Sequence, residues 1–146
     1  MTVIVWDGKN LAADRRCCMG TFHRSTTKIF RLADGSLAGF AGDAAYCTHA
    51  MQWINDGMNT ADFPASQRER EKFAAIMIIK PDKTVWKLED TPHPFRILES
   101  QFAIGSGRDY AMAAMHLGCS AVAAVETACA LDSSCGNGID LLEFEL

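Results

Sequence analysis

Thr2 is the first residue whose type and position could do chemistry. It follows Met1 and precedes an apolar stretch, Val3 to Trp6. Removal of Met1 would leave a hydroxyl and a free α-amine on one small residue. An α-amine with a reference pKa of about 7.7 to 8.0 is substantially neutral near physiological pH, so it can accept the hydroxyl proton during attack on a carbonyl. While Met1 is attached, the nitrogen of Thr2 is a peptide nitrogen and cannot act as this base.

The composition indicates an ordinary globular chain. Its 146 residues are 49% hydrophobic and 22% charged, which predicts a single domain over residues 1–146. A formal charge of -4 and the lack of a long basic run argue against a nucleic-acid partner. No apolar run approaches the roughly 18 to 20 residues that span a bilayer, and no basic segment precedes an apolar one at the N-terminus. We therefore expect a cytoplasmic protein with no membrane partner.

The six cysteines predict neither a disulfide framework nor a metal site. Without a secretory signal, and with enough residues for a hydrophobic core, reduced thiols are the expected state. Cys17 and Cys18 are adjacent, Cys47 and Cys119 are isolated, and no CxxC occurs. We expect no metal and no cofactor.

Hydrophobic periodicity predicts an alternation of strand groups and helix groups. Residues 2–6 and 10–16 form a hairpin around Gly8, which places Thr2 opposite Arg15 and Asp14 one residue from the start of the first strand. Further strands are predicted at residues 28–32, 36–42, 73–80, 84–88, 102–104 and 139–146, and helices at residues 43–55, 66–72, 108–117 and 121–131. This order predicts an α+β protein with two stacked sheets covered by helices on both outer faces.

Two smaller patterns bear on function. The helix at residues 108–117 carries apolar residues on two faces, which predicts that one face is buried by another subunit. Gly105-Ser106-Gly107 is a weak candidate for a phosphate loop, because no GK[ST] follows it.

The motifs together resemble those of a known family. They are, in chain order, Leu11-Ala12-Ala13-Asp14-Arg15-Arg16, Lys28-Ile29-Phe30, Ala38-Gly39-Phe40-Ala41-Gly42-Asp43, Ile104-Gly105-Ser106-Gly107, and Asp132 before a glycine-containing loop and a last strand. This set resembles the proteasome β subunits and the HslV-type peptidases. These are N-terminal-nucleophile hydrolases with a four-layer αββα sandwich of two mostly antiparallel sheets, and the resemblance implies that fold.

The resemblance also implies roles for individual residues. Thr2 would be the nucleophile with its own amine as base, and Asp14 would pair with the active-site Lys28. A fixed cation near Thr2 favours the neutral amine and the developing alkoxide, and a carboxylate keeps that cation charged and oriented. Gly39 would supply the backbone N–H of the oxyanion hole.

The second half of the chain would complete the site. By resemblance, Ser106 and Asp132 hold the amine and relay protons near it. Cys135 stands where the family has a serine, and a thiol is a weaker hydrogen-bonding group. Cys18 also replaces a usual serine or threonine.

The remaining implied residues concern substrate. Cys17, Thr26, Leu37 and Ala41 would line the pocket for the residue before the cut bond, together with Cys18 in the same region. This pocket would prefer small to medium apolar side chains.

The resemblance implies a threonine-type endopeptidase that cleaves unfolded peptides, assembles into homomeric rings and works with an ATP-dependent unfoldase. Two alternatives stay open. One is a non-catalytic ring or scaffold protein of the same fold, which the presence of Met1 favours. The other is an amide hydrolase with the same chemistry that acts on small molecules.

Overall fold

The computed structural model describes residues 2–64 and 74–144. The strands in these ranges are β1 (Ile4–Trp6), β2 (Asn10–Asp14), β3 (Arg16–Met19), β4 (Phe22–Ser25), β5 (Ile29–Arg31), β6 (Leu37–Gly42), β7 (Ala74–Ile79), β8 (Val85–Leu88), β9 (Phe95–Ile97), β10 (Phe102–Ile104) and β11 (Ile139–Glu143). The helices are α1 (Ala44–Asn55), α2 (Arg108–His116) and α3 (Ala121–Leu131), with a short 3-10 turn at Thr60–Asp62. None of these described helices has the length and apolar character needed to cross a membrane.

The elements form the four layers that the sequence predicts. A four-stranded antiparallel sheet has the order β10-β1-β2-β11, and a five-stranded antiparallel sheet has the order β5-β6-β7-β8-β9. Helices α2 and α3 pack on the outer face of the first sheet, and α1 packs on the outer face of the second. The αββα fold class is therefore confirmed.

Alternation along the strands builds the two sides of the first sheet. Val3 and Val5 pack against α2 and α3, whereas Ile4 and Trp6 pack between the two sheets. Side chains of a strand point to opposite faces in turn, so one short apolar run fills two cores. This run leads directly from Thr2, which therefore lies at the end of a strand that is buried on both faces.

The register of the first hairpin agrees with the sequence-based prediction. Ile4 pairs with Ala13 and Trp6 pairs with Leu11. Continued toward the start of the chain, this register places Thr2 opposite Arg15. Gly8 has a φ of +96°, the left-handed conformation that the turn requires. Asp14 consequently lies opposite Val3, whose C=O accepts a hydrogen bond from the Asp14 N–H.

The structure also contains strands that the sequence analysis missed. The sequence analysis missed the β3–β4 hairpin because every residue of β4 is exposed, so β4 shows no alternation of apolar and polar residues. Strand β9 is a short edge strand that follows a proline, which is a weak strand signal. The predicted helix at residues 66–72, Phe73 and the end of the predicted last strand at residues 145–146 lie outside the described residues.

Candidate active site

A glycine-containing loop after β10 encloses Thr2. The Thr2 backbone N–H donates to Ser106 Oγ at 3.1 Å, and the Thr2 C=O accepts from the Gly107 N–H at 3.1 Å. Gly105 has a φ of +97°, and a Cβ there would lie 2.1 Å from the Thr2 carbonyl oxygen. Only glycine fits this close approach. The Gly-Ser-Gly motif therefore fixes the position of Thr2.

Ser106 connects the nitrogen of Thr2 to a carboxylate. Its hydroxyl donates to Asp132 Oδ2 at 3.0 Å, from the loop that follows α3. The Ser134 hydroxyl, its backbone N–H and the Ser106 hydroxyl together lower the pKa of Asp132 to about 2. Asp132 is therefore ionised at neutral pH and can accept these hydrogen bonds.

Asp14 and Lys28 form a buried ion pair at the same end of the sheets. Lys28 Nζ donates to Asp14 Oδ1 at 2.7 Å, and the side chains are 6% and 0% exposed. The same Oδ1 accepts from the Val3 N–H at 3.1 Å. Thus one carboxylate oxygen binds both the lysine and the residue next to Thr2. Such a charge needs several donors to be stable when buried.

The second oxygen of Asp14 fixes two chain segments. Asp14 Oδ2 accepts from the Gly136 N–H at 3.0 Å and from the Arg16 N–H at 3.3 Å. Arg16 then crosses to the loop after α3, where its guanidinium donates to the Ser133 C=O at 2.6 Å and to Asn137 Oδ1 at 3.0 Å. The β3–β4 hairpin is in this way attached to the loop that carries Asp132.

A cavity of about 800 Å³ opens beside Thr2. Of the residues expected to bind substrate, the structure brings Cys17, Cys18 and Thr26 to its wall, together with Lys28. Its apolar wall also contains Phe30, Phe40, Cys47 and Met51. Burial raises the pKa of the Cys47 thiol to about 12, so this side chain stays protonated and behaves as an apolar group.

Leu37 and Ala41 differ from the expectation that they line the substrate pocket. Both are buried in the core between the two sheets, where they pack in the same cluster as Ile4. The alternation along β6 explains the difference, because Phe40 points to the opposite face and lines the cavity instead.

Gly39 also differs from its expected role as oxyanion donor. The Phe40 N–H donates to the Lys28 C=O at 2.9 Å, so the N–H of Gly39 points the other way, toward its β7 partner Met77. A Cβ on Gly39 would lie 2.5 Å from the Ile4 side chain, which explains the glycine by packing. By the same alternation the Gly42 N–H points away from β7, and Gly42 lines the cavity.

The loop after α3 contains a residue that the sequence analysis missed. Ser134 Oγ donates to Asp132 Oδ1 at 2.6 Å and lies 3.3 Å from Ser106 Oγ. Cys135, at the position where the resemblance implies a serine, is buried, and its thiol reaches Asp132 Oδ2 at 3.6 Å. An aspartate followed two residues later by a serine is a common turn pattern, so only its place opposite Gly105-Ser106-Gly107 distinguishes it.

Comparisons with known proteins find similar solved structures but no matching family model or curated protein. No protein-family model matches the sequence, and no curated protein shows a significant match. Among solved structures, Thiobacillus denitrificans BPH in complex with epoxomicin is 16% identical, with a TM-score of 0.71 and 99% of each chain covered. HslV from Trypanosoma brucei is 20% identical, with a TM-score of 0.70, and the match covers 97% of this chain and 98% of that one. A second structure of the Thiobacillus protein is 17% identical, with a TM-score of 0.65 and coverage of 99% and 98%.

These neighbours match the chain over nearly its whole length, and they match the layers described above. The protein therefore has the fold of HslV-type and proteasome-type peptidases. The resemblance drawn from the motifs is confirmed at the level of the fold.

Proposed function

We propose that this protein is a threonine-type peptidase in which Thr2 becomes the nucleophile once Met1 has been removed. The observation that carries the proposal is the connection from the Thr2 nitrogen through Ser106 to the ionised Asp132. Such an arrangement orients a terminal amine beside its own hydroxyl. The buried Asp14–Lys28 pair lies next to the same strand end and supports the proposal independently.

The residues suggest the following reaction. The Thr2 hydroxyl loses its proton to the α-amine while its oxygen attacks the peptide carbonyl. The resulting tetrahedral intermediate collapses, the leaving amine takes the proton, and an ester on Thr2 remains. Water, deprotonated by the same amine, then hydrolyses this ester and releases the carboxylic acid. The charge of Lys28 favours the alkoxide and disfavours protonation of the amine, so it supports the attack.

The cavity supports a substrate with an apolar side chain. Phe30, Phe40 and Met51 supply apolar surface, whereas Arg16, Arg24 and Asp43 supply polar groups on the same wall. An extended, unfolded peptide would place one apolar side chain against the first group. Gly42 lines this cavity, and we propose its N–H as the donor that stabilises the oxyanion.

We further propose a homomeric ring in the cytoplasm, with an ATP-dependent unfoldase as its partner. The solved neighbours include an HslV, and Tyr110 in the first turn of α2 and Leu117 just after its last residue are 41% and 83% exposed. Large exposed apolar side chains such as these favour burial against another subunit. The six cysteines carry free thiols, the state expected in a reducing compartment.

The intact mass of the purified protein tests the nucleophile. The Thiobacillus neighbour was solved in complex with epoxomicin, so this compound is the natural probe. We expect loss of Met1 and one epoxomicin adduct per chain, and no adduct on the Thr2→Ala variant. Intact Met1 with no adduct, in protein from its native host, would contradict the proposal and favour the scaffold alternative. Turnover of small amides but not of peptides would favour the small-molecule hydrolase.

A further inference from the structure

The loop after α3 places a second hydroxyl beside Asp132. Ser134 donates to Asp132 Oδ1 through both its hydroxyl, at 2.6 Å, and its backbone N–H, at 2.9 Å. Ser106 binds the other carboxylate oxygen, Oδ2. The two serine hydroxyls are 3.3 Å apart, so Ser106 and Ser134 lie side by side, each donating its proton to a different oxygen of the same carboxylate.

Cys135 has a different environment. It is 2% exposed and belongs to the core beneath α3, and its thiol lies 3.2 Å from the position of a Cβ built on Gly107. Burial raises the pKa of this thiol to about 12, so it stays protonated. Its contact with Asp132, at 3.6 Å, is that of a weak donor. The thiol therefore mainly packs, although it occupies the position where the resemblance implies a serine.

We propose that Ser134, and not the residue at position 135, is the residue that positions Ser106 and Asp132 around the amine of Thr2. The proposal rests on the proposed function, because it assigns a role in the same site. Ser134 does not touch the reacting atoms and acts through Asp132 and Ser106, so it is a positioning residue.

The β3–β4 hairpin supports this assignment. The Cys18 thiol contacts the Ser134 C=O at 3.9 Å, and the Arg16 guanidinium binds the C=O of the preceding residue, Ser133, at 2.6 Å. These contacts hold the backbone of the loop from the cavity side. Ser134 can therefore keep one orientation, whereas a serine in an unsupported turn would exchange its hydrogen bonds with water.

Steady-state kinetics on the mature protein is the first test. Ser134→Ala should lower kcat by roughly 10- to 100-fold, the factor that corresponds to one hydrogen bond to a charged group. The KM should change little, because the side chain does not line the cavity. Ser134→Thr should restore most of kcat, and Cys135→Ala should lose much less than Ser134→Ala. The adjacent Ser133→Ala, whose hydroxyl makes none of these bonds, serves as the control.

Titration of the terminal amine is a second test that needs no activity. Cleavage of a ubiquitin fusion can expose Thr2 directly, and acylation of the amine at different pH values then reports its protonation. The Ser134 hydroxyl offsets part of the charge on Asp132. Without it, the carboxylate should favour the ammonium form more strongly, so the midpoint should move to higher pH in Ser134→Ala and stay in place in Ser133→Ala.

The two measurements separate the inference from the proposed function. If the wild-type protein is inactive but the midpoint moves only in Ser134→Ala, the peptidase proposal fails and the role of Ser134 stands. An unchanged midpoint in Ser134→Ala would overturn the role of Ser134. An equal loss of kcat in Cys135→Ala and Ser134→Ala would overturn it as well.

Discussion

Lys28 Nζ and Asp14 Oδ1 lie 2.7 Å apart in the interior, and neither side chain is more than 6% exposed. Lys28 immediately precedes β5 and Asp14 is the last residue of β2, so this pair connects the two sheets beside Thr2. A buried pair of this kind stabilises little overall, but removal of one partner leaves a buried charge uncompensated.

Removal of either partner should therefore cost both stability and activity. We expect Lys28→Met and Asp14→Asn each to lower the free energy of unfolding by about 3 to 5 kcal/mol. The double variant should lose clearly less than the two single losses combined, because no lone charge remains. Urea unfolding measures these values, and epoxomicin labelling of Thr2 should be abolished in all three.

The exposed pair between Arg108 and Asp109, at 3.9 Å with side chains 59% and 91% exposed, offers the control. Asp109→Asn should change stability by less than about 0.5 kcal/mol. A Lys28→Met variant as stable and as reactive as Asp109→Asn would contradict the role given to the pair.

Gly105 and Gly118 provide a matched pair of substitutions. Their φ values are +97° and +95°, so alanine is strained at both, by about 1 kcal/mol. At Gly118 a Cβ meets nothing within 4 Å, whereas at Gly105 it would meet the Thr2 carbonyl oxygen. Gly105→Ala should thus displace Thr2 and abolish epoxomicin labelling, while Gly118→Ala should be labelled at the wild-type rate. Equal labelling of the two variants would show that the loop does not fix Thr2.

The exposed end of α2 predicts the oligomeric state. Leu117 is 83% exposed and follows the last residue of the helix. If this end lies in a ring interface, Leu117→Glu should shift the protein from ring to smaller species in analytical ultracentrifugation. Lys83→Glu, in the turn between β7 and β8, should leave the ring intact. A wild-type protein that sediments as a monomer would exclude the ring.

The hydrophobic pattern predicted the first hairpin, and the family resemblance predicted which residues would meet near Thr2. The hairpin register followed from Gly8 and the alternation of the flanking residues, and it placed Asp14 next to the strand that begins after Thr2. The structure does bring Lys28, Ser106 and Asp132 to that end. The resemblance to the proteasome β and HslV-type peptidases, and not the hydrophobic pattern, assigned these three residues to one site.

The orientation of groups along β6 could not be predicted in the same way. Gly39, Leu37 and Ala41 face away from the cavity because the pairing of β5 and β6 fixes which N–H and which side chain point where. A motif does not record that pairing. Ser134 was missed for a related reason, because its contact with Ser106 joins two loops 28 residues apart in sequence.

Asp132 predicts how the protein responds to acid. Its pKa of about 2 in the folded state is below the usual value near 3.9 in an unfolded chain. A group with a lowered folded pKa contributes stability that is complete above the unfolded pKa and is lost as the pH falls through the folded pKa. The contribution of Asp132 should therefore disappear between about pH 4 and pH 2, and it should be modest, because the carboxylate is partly exposed to solvent.

Carbon-13 titration of the Asp132 side-chain carboxyl should give a midpoint near 2 in the wild type and a higher midpoint in Ser134→Ala, because the hydroxyl that lowers the pKa most is gone. Ser133→Ala should keep the wild-type midpoint. A wild-type midpoint at the usual value would show that the hydrogen bonds to Asp132 do not form in solution.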